Sequence, residues 1–137
     1  MSKIIIIGAG AMGSAFAMPC LDNKHEVSIV GTHLEDHFIE KLNKSDYLHP
    51  GLNVKINKNI KIHKFEKLNN LLNEKIDLIV LGISSKGIEW VSEQLGIIYK
   101  GKSIPSLLML TKGLSIYQNN YELLVDKLKR LLKSRGI

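Results

Sequence analysis

Residues 3–17 read KIIIIGAGAMGSAFA, and the fold turns on how that stretch is understood. Ile4 to Ile7 form a short, uninterrupted β-branched run, the pattern of a strand covered on both faces. The run gives way to Gly8, Gly10 and Gly13, spaced G-x-G-x-x-G, and Ala11 to Leu21 then reads as a helix. Strand, glycine turn and helix in that order give each glycine a separate role. Gly8 lets the chain bend sharply off the strand. Gly10 removes a side chain where a pyrophosphate would approach the backbone. Gly13 lets the helix lie close to the sheet. The helix N-terminus presents unpaired N–H groups and a partial positive charge to such a group.

The same alternation continues along the chain. Pro19 lies inside the first helix and is expected to kink it. Asp22-Asn23 suits its end, since Asn tolerates the left-handed conformation. Glu26 to Val30 is a second strand, and Glu35 to Leu42 is helical. Ser45 to Asn59, with HPG at His49 to Gly51, reads as loop. Ile60 to Phe65 alternates as a strand, Leu68 to Leu72 is a short helix, and Asp77 to Ile83 (DLIVLGI) is a third apolar strand. A helix follows near Lys86 to Leu95, then a strand from Pro105 to Leu110 ending in TKG, Thr111 to Gly113. Asn120 to Ser134 reads as a last amphipathic helix. Strands that are apolar on both faces and alternate with helices predict an α/β fold, a Rossmann-type doubly wound parallel sheet in one domain over residues 1–137.

Composition narrows the function. Of 137 residues, 45% are hydrophobic and 23% charged, the balance of an ordinary globular chain. No apolar run approaches the ~20 residues needed to cross a bilayer, and the opening run breaks too early for a signal peptide. Cys20 is the single cysteine, so no intrachain disulfide forms and a cytoplasmic setting is expected. The net charge of +6 comes from scattered lysines without interleaved aromatics, which argues against nucleic acid as a partner. The dense stretch KLKRLLKSR, residues 127–135, suits a solvated helix face and the negative end of a helix dipole. His33 and His37 stand one helical turn apart, but with no third ligand evident no metal site is expected. Glu35, Asp36 and Glu40 read as a solvated helix face.

A carboxylate at the end of the second strand would hold the ribose of NAD. Here that strand ends IVGTH, and Val30, Gly31 and Thr32 carry none. Thr32 and His33 can donate to a 2′-phosphate, so the reading leans to NADP over NAD. His33 is equally read as a residue that starts the next helix.

Beyond the loop, IIGAGAMGSAFA, HEVSIVGTH, HPGLNVKINKNIKI, DLIVLGISS and LLMLTKGL follow in order from Ile6, His25, His49, Asp77 and Leu107. Together they resemble the N-terminal domain of NAD(P)-dependent glycerol-3-phosphate dehydrogenase, over nearly the whole chain. TKG after an apolar strand is the most telling part, because a bare dinucleotide loop does not predict it. The resemblance implies reversible hydride transfer between a nicotinamide and dihydroxyacetone phosphate, a triose phosphate. It places Ala11 and Met12 on the cofactor diphosphate, Thr32 near the adenosine ribose, and Ser84 and Ser85 in a turn beside the cofactor. Lys112 would contact substrate and cofactor. Two positions depart from the family pattern: Ser84 replaces a proline, and Met12 a bulky aromatic.

The resemblance also implies a C-terminal helical domain that carries the acid–base lysine, and these residues do not include it. The chain is therefore expected to be catalytically incomplete alone and to leave apolar surface for a second copy or for a separate chain with that domain. Two alternatives remain open: a non-catalytic dinucleotide sensor or accessory subunit, and a relative of ketopantoate reductase, which shares GAGAMGS but not TKG.

Overall fold

The structure is a computed structural model that describes residues 1–137. In chain order its elements are β1 (Lys3–Ile7), α1 (Ala11–Asp22), β2 (Glu26–Val30), α2 (Asp36–Lys44), β3 (Leu48–His49), β4 (Val54–Lys55), β5 (Lys61–His63), α3 (Leu68–Leu72) and β6 (Leu78–Leu81). There follow α4 (Ile88–Tyr99), β7 (Ser106–Met109), β8 (Leu114–Tyr117), β9 (Asn120–Leu123) and α5 (Leu124–Ser134). Two compact units result: residues 1–82 with 105–110, and residues 83–104 with 111–137.

The first unit holds a five-stranded sheet in the order β5-β2-β1-β6-β7. Every pairing in it is parallel. Ile4 to Ile7 sit at its centre, with Ile6 paired to Ile29 on one side and Val80 on the other. Ile5, Ile6, Ile7, Ile79, Val80 and Leu81 are wholly buried, which explains why the central strands are apolar at every position rather than at alternate ones. Ile4, Ile6, Val27, Ile29 and Val80 share a core with Ala17 and Cys20 of α1 and Ile39 and Leu42 of α2. From β1 the chain builds outward through β2 and β5, then returns to place β6 and β7 on the opposite side. That reversal puts the switch point of this Rossmann-type sheet at the carboxyl ends of β1 and β6.

Several boundaries differ from the sequence reading. Helix α1 continues through Pro19 to Asp22. Its left-handed residue is Lys24 (φ 64°), while Asn23 stays at φ −86° and donates its N–H to the Pro19 carbonyl. The Ser45–Asn59 segment is not plain loop, because β3 and β4 pair within it as a small antiparallel hairpin. The outer strand β5 spans only Lys61–His63, and β6 stops at Leu81.

The largest difference lies in the second unit. Asn120–Leu123 is not the first turn of a helix but the strand β9, paired antiparallel with β8 through Leu114–Leu123 and Ile116–Tyr121. Gln118 and Asn119 make the two-residue turn, both at positive φ (50° and 65°), the backbone a tight hairpin demands. Arg130 of α5 braces the hairpin: its guanidinium donates to both Glu122 oxygens and lies 3.7 Å over the Tyr117 ring. Helices α4 and α5 pack on one another in this unit.

Candidate functional site

The switch point is built from glycines. Gly8 follows β1 at φ 113°, a conformation side-chain-bearing residues rarely adopt. Its N–H donates to the Val30 carbonyl at 2.8 Å, and the Gly82 N–H donates to the Ile7 carbonyl at 2.8 Å, so the turn is stitched to the ends of β2 and β6. A Cβ on Gly13 would fall 2.6 Å from the Gly8 oxygen, and one on Gly82 would fall 2.9 Å from the Gly13 Cα. Bare backbone on both elements is what lets α1 rest against the end of the sheet. Gly82 is not among the residues that the sequence alone singles out; its signal is its place directly after an apolar strand.

Gly10 differs from both. Its backbone is extended (φ −67°, ψ 179°) and a Cβ there would meet nothing within 4 Å. The free protein therefore has no packing need for glycine at this position. What the missing side chain leaves is open space against the main chain where α1 begins. Ala11 and Met12, next in line, are exposed. The first-turn N–H groups of α1 have no intrahelical acceptor, and no acidic side chain stands in that turn.

Ala9, between the two glycines, is wholly buried and held from both sides. Its N–H is shared by the two Glu35 carboxylate oxygens, each at 3.2 Å. Its carbonyl accepts from the Ser14 hydroxyl at 3.1 Å and lies 2.9 Å from His49 Nε2. The other His49 nitrogen, Nδ1, accepts the N–H groups of Gly51 (3.0 Å) and Leu52 (3.3 Å), which assigns the ring proton to Nε2 and makes Nε2 the donor to Ala9. His49 is 2% exposed, and Phe38 meets its ring edge-on at 5.2 Å. In the sequence His49 stands out only as part of a motif, and nothing local reveals its contact with a residue 40 positions away.

Glu35 corrects the reading of residues 35–40 as a solvated face. Besides binding Ala9, it accepts the Thr32 N–H at 2.9 Å, so a carboxylate does stand beside the end of β2, delivered from further along the turn. The Thr32 hydroxyl accepts from the Leu34 N–H at 3.3 Å. His33 is exposed, with its ring edge-on to Phe65 at 6.3 Å. No group of three or more histidines, cysteines or carboxylates is gathered as metal ligands would be.

The remaining candidates belong to the second unit. Ser84 precedes a 3-10 turn, Ser85–Gly87, closed by the Gly87 N–H on the Ser84 carbonyl at 2.9 Å. The Thr111 hydroxyl donates to the Ile83 carbonyl at 2.6 Å. That bond clips the TKG turn to the serine turn, so Lys112 and Ser84 are each next in sequence to one of its partners. Ser84, Ser85 and Lys112 are all exposed. The structure thus gathers Gly8, Gly10, Ala11, Met12, Gly13 and Thr32 around one loop, and Ser84, Ser85 and Lys112 around another.

Comparison with known proteins follows the same residues. The family described as NAD-dependent glycerol-3-phosphate dehydrogenase N-terminus matches over residues 3–136. The NADP(+)-dependent glycerol-3-phosphate dehydrogenase of Archaeoglobus fulgidus is 33% identical over 117 residues, covering 85% of this chain and 33% of that protein. Among solved structures, the glycerol-3-phosphate dehydrogenase of Coxiella burnetii superposes with a TM-score of 0.70 at 18% identity, over 98% of this chain and 37% of that one. The enzyme GPD1 of Saccharomyces cerevisiae gives 0.68 at 18% identity, over 96% and 39%. The chain thus spans about a third of the length of the Archaeoglobus relative. The chain belongs to the glycerol-3-phosphate dehydrogenase family, as the N-terminal part of such a protein.

Proposed function

We propose that this chain binds NADP or NAD at the β1–α1 turn, as the dinucleotide-binding part of a glycerol-3-phosphate dehydrogenase. The observation that carries the reading is Gly10: open space against bare main chain, at the N-terminus of a helix whose first turn carries no acidic residue. In this reading Gly10, Ala11 and Met12 offer their N–H groups to the diphosphate, while Gly8 and Gly13 shape the turn. Thr32 and His33 flank the adenosine ribose. Ser84, Ser85 and Lys112 serve the nicotinamide end, with Lys112 supplying a cation for an anionic triose phosphate. A bound reduced nicotinamide supplies hydride to a substrate carbonyl carbon; the residues described here bind and orient. The name of the Archaeoglobus relative supports NADP as the preferred form. The reaction itself, on dihydroxyacetone phosphate, is proposed for the whole protein, completed by a C-terminal domain or by a separate chain that carries it. A reducing, cytoplasmic setting suits the buried free Cys20.

The test is a fluorescence titration with NADPH and with NADH, on the wild type and on Gly10→Ala. An alanine at position 10 fits the free protein, so its thermal midpoint should stay put. Its methyl group would stand where the diphosphate approaches, and affinity should fall by about tenfold or more. Absence of binding by either nucleotide to the wild type, or equal binding by the variant, overturns the reading.

A further inference from the structure

We infer that His49 is a positioning residue of the glycine turn: by holding the Ala9 carbonyl inward, it aims the Gly10 N–H outward at the ligand. The inference rests on the dinucleotide reading above for what the ligand is, but not for the geometry. The chain contains no cis peptide, so the carbonyl of Ala9 and the N–H of Gly10 point in opposite directions across one planar unit. Ala9 is fully buried and its oxygen accepts both His49 Nε2–H and Ser14 OγH. Two donors occupy the two lone pairs of that oxygen, which leaves the peptide one orientation. The N–H of Gly10 then faces away from His49; separately, a Cβ at Gly10 would meet nothing within 4 Å.

His49 in turn is fixed by its own segment. Its Nδ1 accepts from Gly51 and Leu52, and that segment lies against the start of α1, where a Cβ on Gly51 would come within 3.5 Å of the Ala11 Cβ. The β3–β4 hairpin is thus a brace under the turn. The HPG motif acquires a physical rationale from this arrangement. Histidine carries both an acceptor for its own loop and a donor for the neighbouring one, a pairing that a single asparagine or glutamine cannot reproduce here.

Two substitutions separate the ring's roles. His49→Asn places an amide oxygen near the Nδ1 position and keeps the bonds from Gly51 and Leu52, but loses the donor to Ala9. His49→Gln places an amide N–H near the Nε2 position and keeps that donor. Affinity for NADPH, read by fluorescence, should fall about tenfold in His49→Asn, the worth of one buried hydrogen bond. It should stay within about threefold of wild type in His49→Gln, even where its thermal midpoint drops more. The ligand-free protein gives an independent readout, since the Gly10 amide nitrogen shares a peptide with the Ala9 carbonyl. Its NMR shift should move in His49→Asn and stay near wild type in His49→Gln. An unmoved Gly10 signal in His49→Asn, or affinity losses that follow thermal stability rather than the retained donor, overturns the inference. Were the wild type to bind neither nucleotide, the functional reading would fall while the Gly10 signal still decided the positioning role.

Discussion

Glu35 carries a net negative charge to a place where the reading calls for a phosphate or a ribose. Its Oε1 accepts both the Ala9 and the Thr32 N–H, at 3.2 and 2.9 Å, and Oε2 also faces Ala9. A glutamine whose oxygen takes the Oε1 place keeps an acceptor for both N–H groups, but it sets its NH2 where Oε2 lies, 3.2 Å from the Ala9 nitrogen, donor facing donor. Glu35→Gln should therefore lower the thermal midpoint somewhat through the lost Oε2 contact, and favour NADPH over NADH by about two- to fivefold in the ratio of affinities, as removal of one partly solvated charge would give. An unchanged ratio would place the charge too far from the 2′-phosphate to matter. The residue also marks where sequence reading reaches its limit. A carboxylate for the ribose is expected at Val30, Gly31 or Thr32 because the strand ends there. The one that arrives starts from Glu35 and folds back, and its second partner, Ala9, is 26 positions away. Likewise His49 is visible as a letter in a motif, while its donor role needs the fold to exist first. The glycines are legible because their spacing is local.

At the scale of elements, the contact that decides where α1 sits is backbone against backbone. A Cβ on Gly82 would lie 2.9 Å from the Gly13 Cα and 3.2 Å from the Gly13 nitrogen, and neither can swing aside as a side chain can. Gly82→Ala must push α1 off the end of β6. Overpacking of this kind costs about 1–3 kcal/mol, so the urea midpoint should fall clearly, in contrast to Gly10→Ala, where the space is open. A midpoint equal to wild type would mean the helix has slack the structure does not display. The strands of the sheet are readable because continuous apolar runs have one explanation when helices alternate with them. The β8–β9 hairpin escapes such reading for a physical reason. Tyr121, Leu124, Val125 and Leu128 fall at helical spacing, so four strand residues extend the pattern of α5 without a break. Against that, Leu114 and Ile116 alternate with Ser115 and Tyr117, but a period of two over four residues is too short to outweigh it. What settles the matter is the Gln118-Asn119 turn, both residues at positive φ, and the grip of Arg130 on Glu122, neither of which carries a periodic signal.

For the whole molecule, the net charge is +6, and the pH dependence of stability follows from which groups the fold perturbs. Burial, then the charges of Lys61 and Lys67, push the His63 imidazole below its ordinary 6.5. The unfolded chain then takes up that proton first, so stability falls as pH drops below 6.5. Further down, four carboxylates are held below their ordinary values: Glu40 by Lys64, Asp46 by Lys58 and Lys55, Glu74 by Lys3, and Glu122 by Arg130. Their contribution is present above the unfolded values of 3.8 to 4.5 and is lost as pH falls through the folded ones. On the alkaline side, burial raises the Cys20 thiol above 9.0 and the Tyr99 phenol above 10.0, so the unfolded chain ionises first and stability declines as pH rises. A plateau between 6.5 and 9.0 is the result. The two acid stages have different origins, and salt separates them. Exposed ion pairs are screened within a few ångströms at high ionic strength, whereas the burial of an imidazole is not. Urea midpoints measured across pH at about 0.05 M and about 0.5 M NaCl should therefore show the carboxylate stage shrinking in salt while the His63 stage persists. His63→Gln should remove the upper stage alone. A His63 stage that vanishes in salt would show that neighbouring lysines rather than burial govern that imidazole, and a variant that titrates like the wild type would show that the upper stage belongs to another group.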